Sequence, residues 1–227
     1  MTSADQSLRN PAVSLTLYFH PLASYCWKVL IALYESELTF TGSSVNLADA
    51  AERAQLQQLW PPAKFPVLQD ERTARVIPES TIIIEYLAQT YPGRVPLVPK
   101  QPELALETRF KDRFFDLYVH EPMQKIVFDR LRPAERRDPE AVAQAKAALE
   151  LAYGMIDRDM QTRSWANGSD FSMADCAAAP ALYYANRVAP FGSHAVTAAY
   201  LERLQQRPSF RRVLQEAEPY FHNFPSE

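Results

Sequence analysis

The chain has 227 residues, of which 47% are apolar and 22% charged, and its formal net charge is −3. That composition excludes a largely disordered chain, and 24 scattered basic residues give no electrostatic footprint for a nucleic-acid partner. The length suits two modest domains or one large one.

Taken in chain order, residues 1–13 carry Asp5 and Arg9 and no apolar core, so no signal peptide is expected there. Residues 14–19 alternate as a strand does. From Cys26 the apolar positions Cys26, Val29, Leu30, Leu33 and Tyr34 mark one face of a helix. A strand is expected at 40–45 and a helix at 51–59, stopped by Pro61-Pro62. Strands at 65–68 and 75–77 flank the turn Asp70-Glu71-Arg72, and a helix over 81–91 follows with Ser80 as its cap. Pro92, Gly93, Pro96, Pro99 and Pro102 then make residues 92–102 a linker.

Beyond the linker the pattern is helical. Residues 104–131 read as one long helix kinked at Pro122, with Arg109, Lys111, Asp112 and Arg113 as a solvated charged face. Asp138-Pro139 opens a second helix with the buried stripe Val142, Ala145, Leu149, Ala152, Ile156 and Met160. Ser172-Met173-Ala174-Asp175 has the form of a capping box, with Asp175 structural, before a helix apolar on most sides. Short helices at 196–206 and 209–218 complete the chain. The fold class is therefore α/β followed by all-α: a βαβαββα unit at 13–91, the linker, and an all-helical unit at 103–227.

Several chemistries are excluded. The five glycines are dispersed, so no phosphate-cradling loop exists, and the four histidines lack metal-ligand spacing. No metal is expected. The apolar run 176–185 contains Pro180 and falls far short of the ~20 residues of a membrane span. Cys26 and Cys176 read as reduced thiols of a cytoplasmic protein, with no membrane partner.

Three stretches then point one way. They are Leu15-Thr16-Leu17-Tyr18-Phe19-His20-Pro21-Leu22-Ala23-Ser24-Tyr25-Cys26-Trp27-Lys28-Val29, then Lys64-Phe65-Pro66-Val67-Leu68 with Pro78-Glu79-Ser80-Thr81, and Phe171-Ser172-Met173-Ala174-Asp175. In this order and at this spacing the sequence resembles the cytosolic glutathione transferase family, from about residue 13 to 218. The resemblance implies a thioredoxin-like N-terminal domain, an all-helical C-terminal domain and a homodimer. It also implies glutathione as co-substrate and a small hydrophobic electrophile as acceptor.

By the same resemblance Pro66 is cis, turning the Phe65 backbone toward the cysteinyl part of glutathione. Ser80 would hold the γ-glutamyl carboxylate at a helix start, where free N–H groups favour an anion. Glu79 would pair with the ammonium of that group, and Lys64 with the glycyl carboxylate. The residues alone also allow Ser80 to be a cap and Glu79 a solvated turn residue. Phe114, Tyr118 and Met123, with Phe115 and Phe128, are candidates for an electrophile pocket, though such spacing also suits a plain core.

The thiol-activating position of the serine- and cysteine-type classes falls on Ala23, which has neither hydroxyl nor thiol. A free thiol has a pKa of about 8.5, so activation needs a donor or a helix dipole. Ser24 is the adjacent substitute and Tyr18 the alternative, while Cys26 reads as buried structure. The leading expectation is a glutathione transferase. A non-catalytic binding or scaffold protein of the same fold is favoured by Ala23. A glutathione-linked thiol oxidoreductase is disfavoured because no Cys-x-x-Cys pair is present.

Overall fold

A computed structural model describes residues 15–225. The expected strand start at Ser14, the domain limit at residue 13 and the reading of residues 1–13 lie outside the described residues. Strand β1 (Leu15–Phe19) turns its alternate residues Leu15 and Leu17 into the main core. Helix α1 (Ser24–Glu35) returns the chain to β2 (Thr41–Ser44), and α2 (Ala50–Leu59) leads on to β3 (Val67–Asp70) and β4 (Arg75–Pro78). The sheet order is β2-β1-β3-β4, with β1 and β2 parallel and the other pairs antiparallel. Helix α3 (Ser80–Thr90) closes this thioredoxin-like unit. Gly93, in the linker, lies so close to α1 that a Cβ there would meet the Ser36 Cα at 2.7 Å.

Ser80 is not the cap of α3. It is the first helical residue, preceded by Glu79 at φ 70°, and no side chain caps the helix. The chain turns from β4 into α3 without a glycine, so Glu79 takes the left-handed conformation, and its side chain makes no capping hydrogen bond. The first N–H groups of α3 therefore lack intrahelical partners.

The all-helical part begins with α4 (Pro102–Phe114), a π-helical segment (Phe115–His120) and α5 (Glu121–Arg130). The expected kink at Pro122 is thus a widened turn ahead of it. Pro122 has no N–H to give the Tyr118 carbonyl, and the backbone rewinds in the preceding turn. Helix α6 (Pro139–Met160) buries the expected stripe from Ala145 to Met160, with Val142 partly buried, and Asp138 caps it by accepting the Ala141 N–H at 2.9 Å. Helix α7 (Met173–Val188) is buried on nearly every side. Its capping box is present: Asp175 accepts the Ser172 N–H at 2.9 Å, the Ala166 N–H at 2.8 Å and the Tyr200 hydroxyl at 2.6 Å. Helices α8 (Ala195–Gln206) and α9 (Pro208–Ala217) finish the bundle, followed by a 3-10 segment (Glu218–Asn223). No helix among the described residues is long and apolar enough to cross a membrane.

Two buried side chains of α1 join the units. Trp27 is fully buried and packs on Tyr184 and Tyr183 of α7, with ring centroids at 4.8 and 5.4 Å. Lys28, 1% exposed, places its ammonium 2.6 Å from Asp112, 2.9 Å from Asp116 and 2.8 Å from the Thr81 hydroxyl. Thr81 in turn donates to Asp112 at 2.7 Å. The charged run on α4 is therefore not all solvated: Asp112 is fully buried, because the only way to keep Lys28 out of water is to surround it with acceptors.

Removing the ammonium would leave two carboxylates buried without their counter-ion. Lys28→Met should lower unfolding free energy by about 3–5 kcal/mol, read from the midpoint of urea denaturation. An unchanged midpoint would show that the triad does not hold the two units together.

Candidate functional site

The sheet brings the first two motif stretches to one end. Tyr18 pairs with Val67 and Val67 with Pro78, so the next residues outward, Phe19, Pro66 and Glu79, sit side by side. The Phe65–Pro66 peptide bond is cis. The Phe65 ring stacks on His20 with centroids 5.7 Å apart, which ties this turn to the loop after β1. His20 is kept neutral to lower pH by burial, and its Nδ1 accepts the Leu22 N–H at 3.2 Å.

On the other side of the cis bond stands the start of α3. Ser80 is 6% exposed, while Glu79 is exposed on its left-handed backbone. Lys64 is exposed one residue before Phe65 and makes no ion pair with another described residue. Lys64, Phe65, Pro66, Glu79 and Ser80 thus come together as two adjoining turns. They offer a cation, a free backbone edge, a carboxylate and a helix start. That set matches a zwitterionic peptide with a terminal carboxylate at each end.

The proposed activating residues separate. Ala23 is the N-cap of α1, in extended conformation, and contributes no side-chain bond. Its carbonyl accepts the Cys26 and Trp27 N–H groups at 2.9 and 3.1 Å, so the helix begins there with the Ser24 and Tyr25 N–H groups free of the ladder. Ser24 is 8% exposed, and its hydroxyl makes no hydrogen bond to another described residue. Tyr18 points to the opposite face of the sheet, packed with Val45, Leu56 and Val67, and its hydroxyl donates to Gln69 at 3.1 Å. Strand alternation decides this: Leu17 and Phe19 face α1, so Tyr18 must face α2.

Cys26 is fully buried, and burial pushes its thiol up to about 12 against the weaker pull of the His20 N–H. It supplies no thiolate. Among the described residues no group of three or more His, Cys, Asp or Glu is placed to hold a metal ion.

Sequence reading missed Tyr25. It lies on the first turn of α1, three residues before Lys28, and its ring rests on the buried His120 with centroids 4.2 Å apart. Burial, then the carboxylates of Asp116, Glu121 and Glu79, hold its phenol well above the usual tyrosine range, opposed by Arg113. The available signal was Lys28, a charge inside an apolar helix, which marks the face of α1 turned toward α4 rather than toward the sheet.

The expected electrophile residues do not line one cavity. Phe114 and Met123 are buried at 5% and 4% exposure, and Phe115 packs near Tyr200 in the core. Tyr118 and Phe128 face outward at 57% and 54%, Tyr118 stacked on Phe114 at 5.5 Å. The π-helical segment rotates the helix face between Phe114 and Met123, which a regular 3.6-residue period does not foresee. A groove of about 710 Å³ lies instead between the open edge of β2, α1 and α9, lined by Phe19, Trp27, Tyr34, Phe40, Val213 and Tyr220. It contains none of the clamp residues.

Comparison with known proteins agrees with the fold. Residues 17–95 match the sequence model of the glutathione S-transferase N-terminal domain, and residues 139–216 that of the C-terminal domain. FtsZ-localized protein A of Caulobacter vibrioides is 30% identical over 223 residues, covering 92% of this chain and 94% of that protein. A probable maleylacetoacetate isomerase of Caenorhabditis elegans is 30% identical over 180 residues, 75% of this chain and 78% of that protein. The crystal structure of a glutathione S-transferase from Methylobacterium radiotolerans, in complex with glutathione sulfonate, superposes with a TM-score of 0.76 at 26% identity. It covers 88% of this chain and 94% of the other.

Proposed function

The chain belongs to the glutathione S-transferase family, and we propose that it binds glutathione and conjugates its thiolate to a small hydrophobic electrophile. The observation that carries this reading is the adjoining pair of turns, cis Phe65–Pro66 beside Glu79–Ser80, at the open end of the sheet. In it Ser80 holds the γ-glutamyl carboxylate, Glu79 the ammonium and Lys64 the glycyl carboxylate, while the Phe65 backbone pairs with the cysteinyl unit. The thiol then falls near the start of α1, where Ser24 and the free N–H groups of the first turn stabilise its anion. Tyr18 is the weaker alternative, because its hydroxyl is engaged by Gln69 on the far face. Phe114, Tyr118 and Met123 flank the acceptor side as separate contacts.

In this reading residues 13–91 bind glutathione, 92–102 link, and 103–227 present the acceptor side. Free, buried Cys26 and Cys176 suit a cytoplasmic setting. A homodimer is supported by an exposed apolar face on β4, α3 and α4, formed by Val76, Ile82, Leu106 and Phe110. The bidentate Arg109–Glu85 pair ties the helices of that face together.

A second reading, a protein of this fold that binds without turnover, is favoured by Ala23 at the activating position. The Caulobacter relative's name speaks of localisation with FtsZ rather than of a reaction. A thiol oxidoreductase is disfavoured by the burial of Cys26.

Calorimetry with glutathione, combined with turnover of a chlorodinitrobenzene acceptor, separates the two readings: binding with turnover supports the transferase, binding alone the second. Ser80→Ala should weaken glutathione by about 1–3 kcal/mol, and Glu79→Gln should weaken it most at low salt. Unchanged affinity in both removes the clamp. Ser24→Ala should raise the pKa of the bound thiol by about 1–2 units and lower turnover, read from thiolate absorbance against pH, while Tyr18→Phe changes little. If neither matters, the backbone carries activation and Ala23→Ser should speed the reaction. Wild type should sediment as a dimer and Phe110→Glu as a monomer; a monomeric wild type would end the dimer assignment.

A further inference from the structure

The basic residues, scattered over the chain as a whole, gather at one corner where α5 hands over to α6. Residues 125–137 hold five cations and two carboxylates in a chain whose net charge is −3. Lys125 and Phe128 stand one turn apart on α5, and Leu131 and Arg132 extend the same face past its end. All four are exposed, Phe128 at 54% and Leu131 at 63%. The 3-10 turn that follows (Ala134–Arg136) is folded back against the end of α5. Arg137 donates to the Arg130 carbonyl at 3.2 Å, and Asp129 accepts the Asp138 N–H at 2.8 Å. Arg136 therefore joins the same corner, on a surface that is held in shape.

The needs of the fold explain only part of this cluster. A helix C-terminus favours nearby cations, which accounts for Arg130 and for Arg132, the latter 3.5 Å from Asp129. Arg130 and Arg137 direct hydrogen bonds to backbone carbonyls. Lys125, more than a turn before the helix end, and Arg136, beyond it, make no ion pair or hydrogen bond with another described residue. The Phe128 ring meets no other ring among the described residues. Single exposed apolar side chains are ordinary on a surface, but Phe128 and Leu131 adjoin one another and are flanked by Lys125, Arg132 and Arg136.

We propose that this corner docks an acidic segment of another protein, one in which an apolar side chain lies between carboxylates. The apolar side chain covers Phe128 and Leu131. The carboxylates meet Lys125 on one side and Arg132 and Arg136 on the other. Guanidinium groups suit carboxylates because two N–H donors meet two oxygens. Glu121 and Glu135 border the cations. A uniformly anionic bilayer or nucleic acid would meet like charge at both places, whereas a polypeptide can leave them neutral. The corner contains no residue of the clamp, so this docking surface does not depend on the transferase reading.

The test uses random peptides displayed on phage, selected in parallel on the wild-type chain and on an Arg132→Glu, Arg136→Glu double variant. Both side chains are exposed, and equal urea midpoints establish that the variant is folded. The wild-type pool should contain peptides absent from the variant pool, with Asp or Glu flanking Leu, Ile or Phe. A synthetic copy of the commonest should bind roughly tenfold or more weakly to the double variant and to Leu131→Ser by calorimetry, and should weaken as salt is raised. Identical pools, or full affinity for both variants, overturn the proposal. Loss with the double variant but not with Leu131→Ser also overturns it, since charge alone would then hold the peptide. Binding of the wild type, but not of the double variant, to phosphatidylserine vesicles with no peptide selected assigns the corner to an anionic bilayer instead.

Discussion

The ammonium of Lys28 organises the molecule. It is withdrawn from water on α1 and is held by Asp112 and Asp116 of the helical unit and by Thr81 at the start of α3. A buried charge is tolerable only when its partners are near and well placed. That requirement fixes three elements at once: α1, which begins at the candidate thiol site, α3, which begins with Ser80, and the helix that carries Asp112 and Asp116. Burial drives the Asp116 carboxyl upward while the Lys28 charge opposes it, so this pair is a compromise rather than a free gain. Its worth lies in position. Thr81 adjoins Ser80, and an ion network that grips Thr81 also sets where the free N–H groups of α3 point.

Around that anchor the site divides into unlike halves. The half proposed for glutathione is made mostly of backbone: a cis bond, a helix start and Glu79, whose left-handed φ of 70° the surrounding strand and helix must hold in place. The half proposed to take the acceptor is made of side chains from α1 and the π-helical segment, with Tyr25 over His120 between them. A widened turn is a common place to find functional groups, since it breaks the register that would otherwise bury them. Here it leaves Tyr118 outward and Met123 inward on what is otherwise one continuous helix.

The C-terminal chain reinforces the loop that carries Ala23. Tyr184 of α7 donates to the Leu22 carbonyl at 2.8 Å, and Phe224 stacks on Tyr184 at 5.3 Å. Arg187 lies over the Phe221 ring at 4.6 Å. The loop before α1 is therefore held from the helical unit as well as from β1. A loop so restrained presents the first-turn N–H groups of α1 in a fixed direction, whichever side chain stands at residue 23.

The order of strands and helices, the capping box at Ser172 and Asp175, the stripe of α6 and the cis bond at Pro66 were all legible in the sequence. Each depends on local chemistry: alternation, 3.6-residue spacing, a proline, or a cap within four residues. What the sequence left open depends on which way a side chain faces across distant elements. Tyr18 and Ser24 stood as alternatives in the sequence, and the pairing of β1 with β2 and β3 turns Tyr18 toward α2. Asp112 read as solvated until α4 was laid against α1, and Ser80 read as a cap until Glu79 took its left-handed turn. Tyr25 carried no motif at all. Local spacing sets which residues share a face, but the partner of that face is chosen by packing between segments far apart in the chain, where the need to satisfy one buried charge outweighs any local preference.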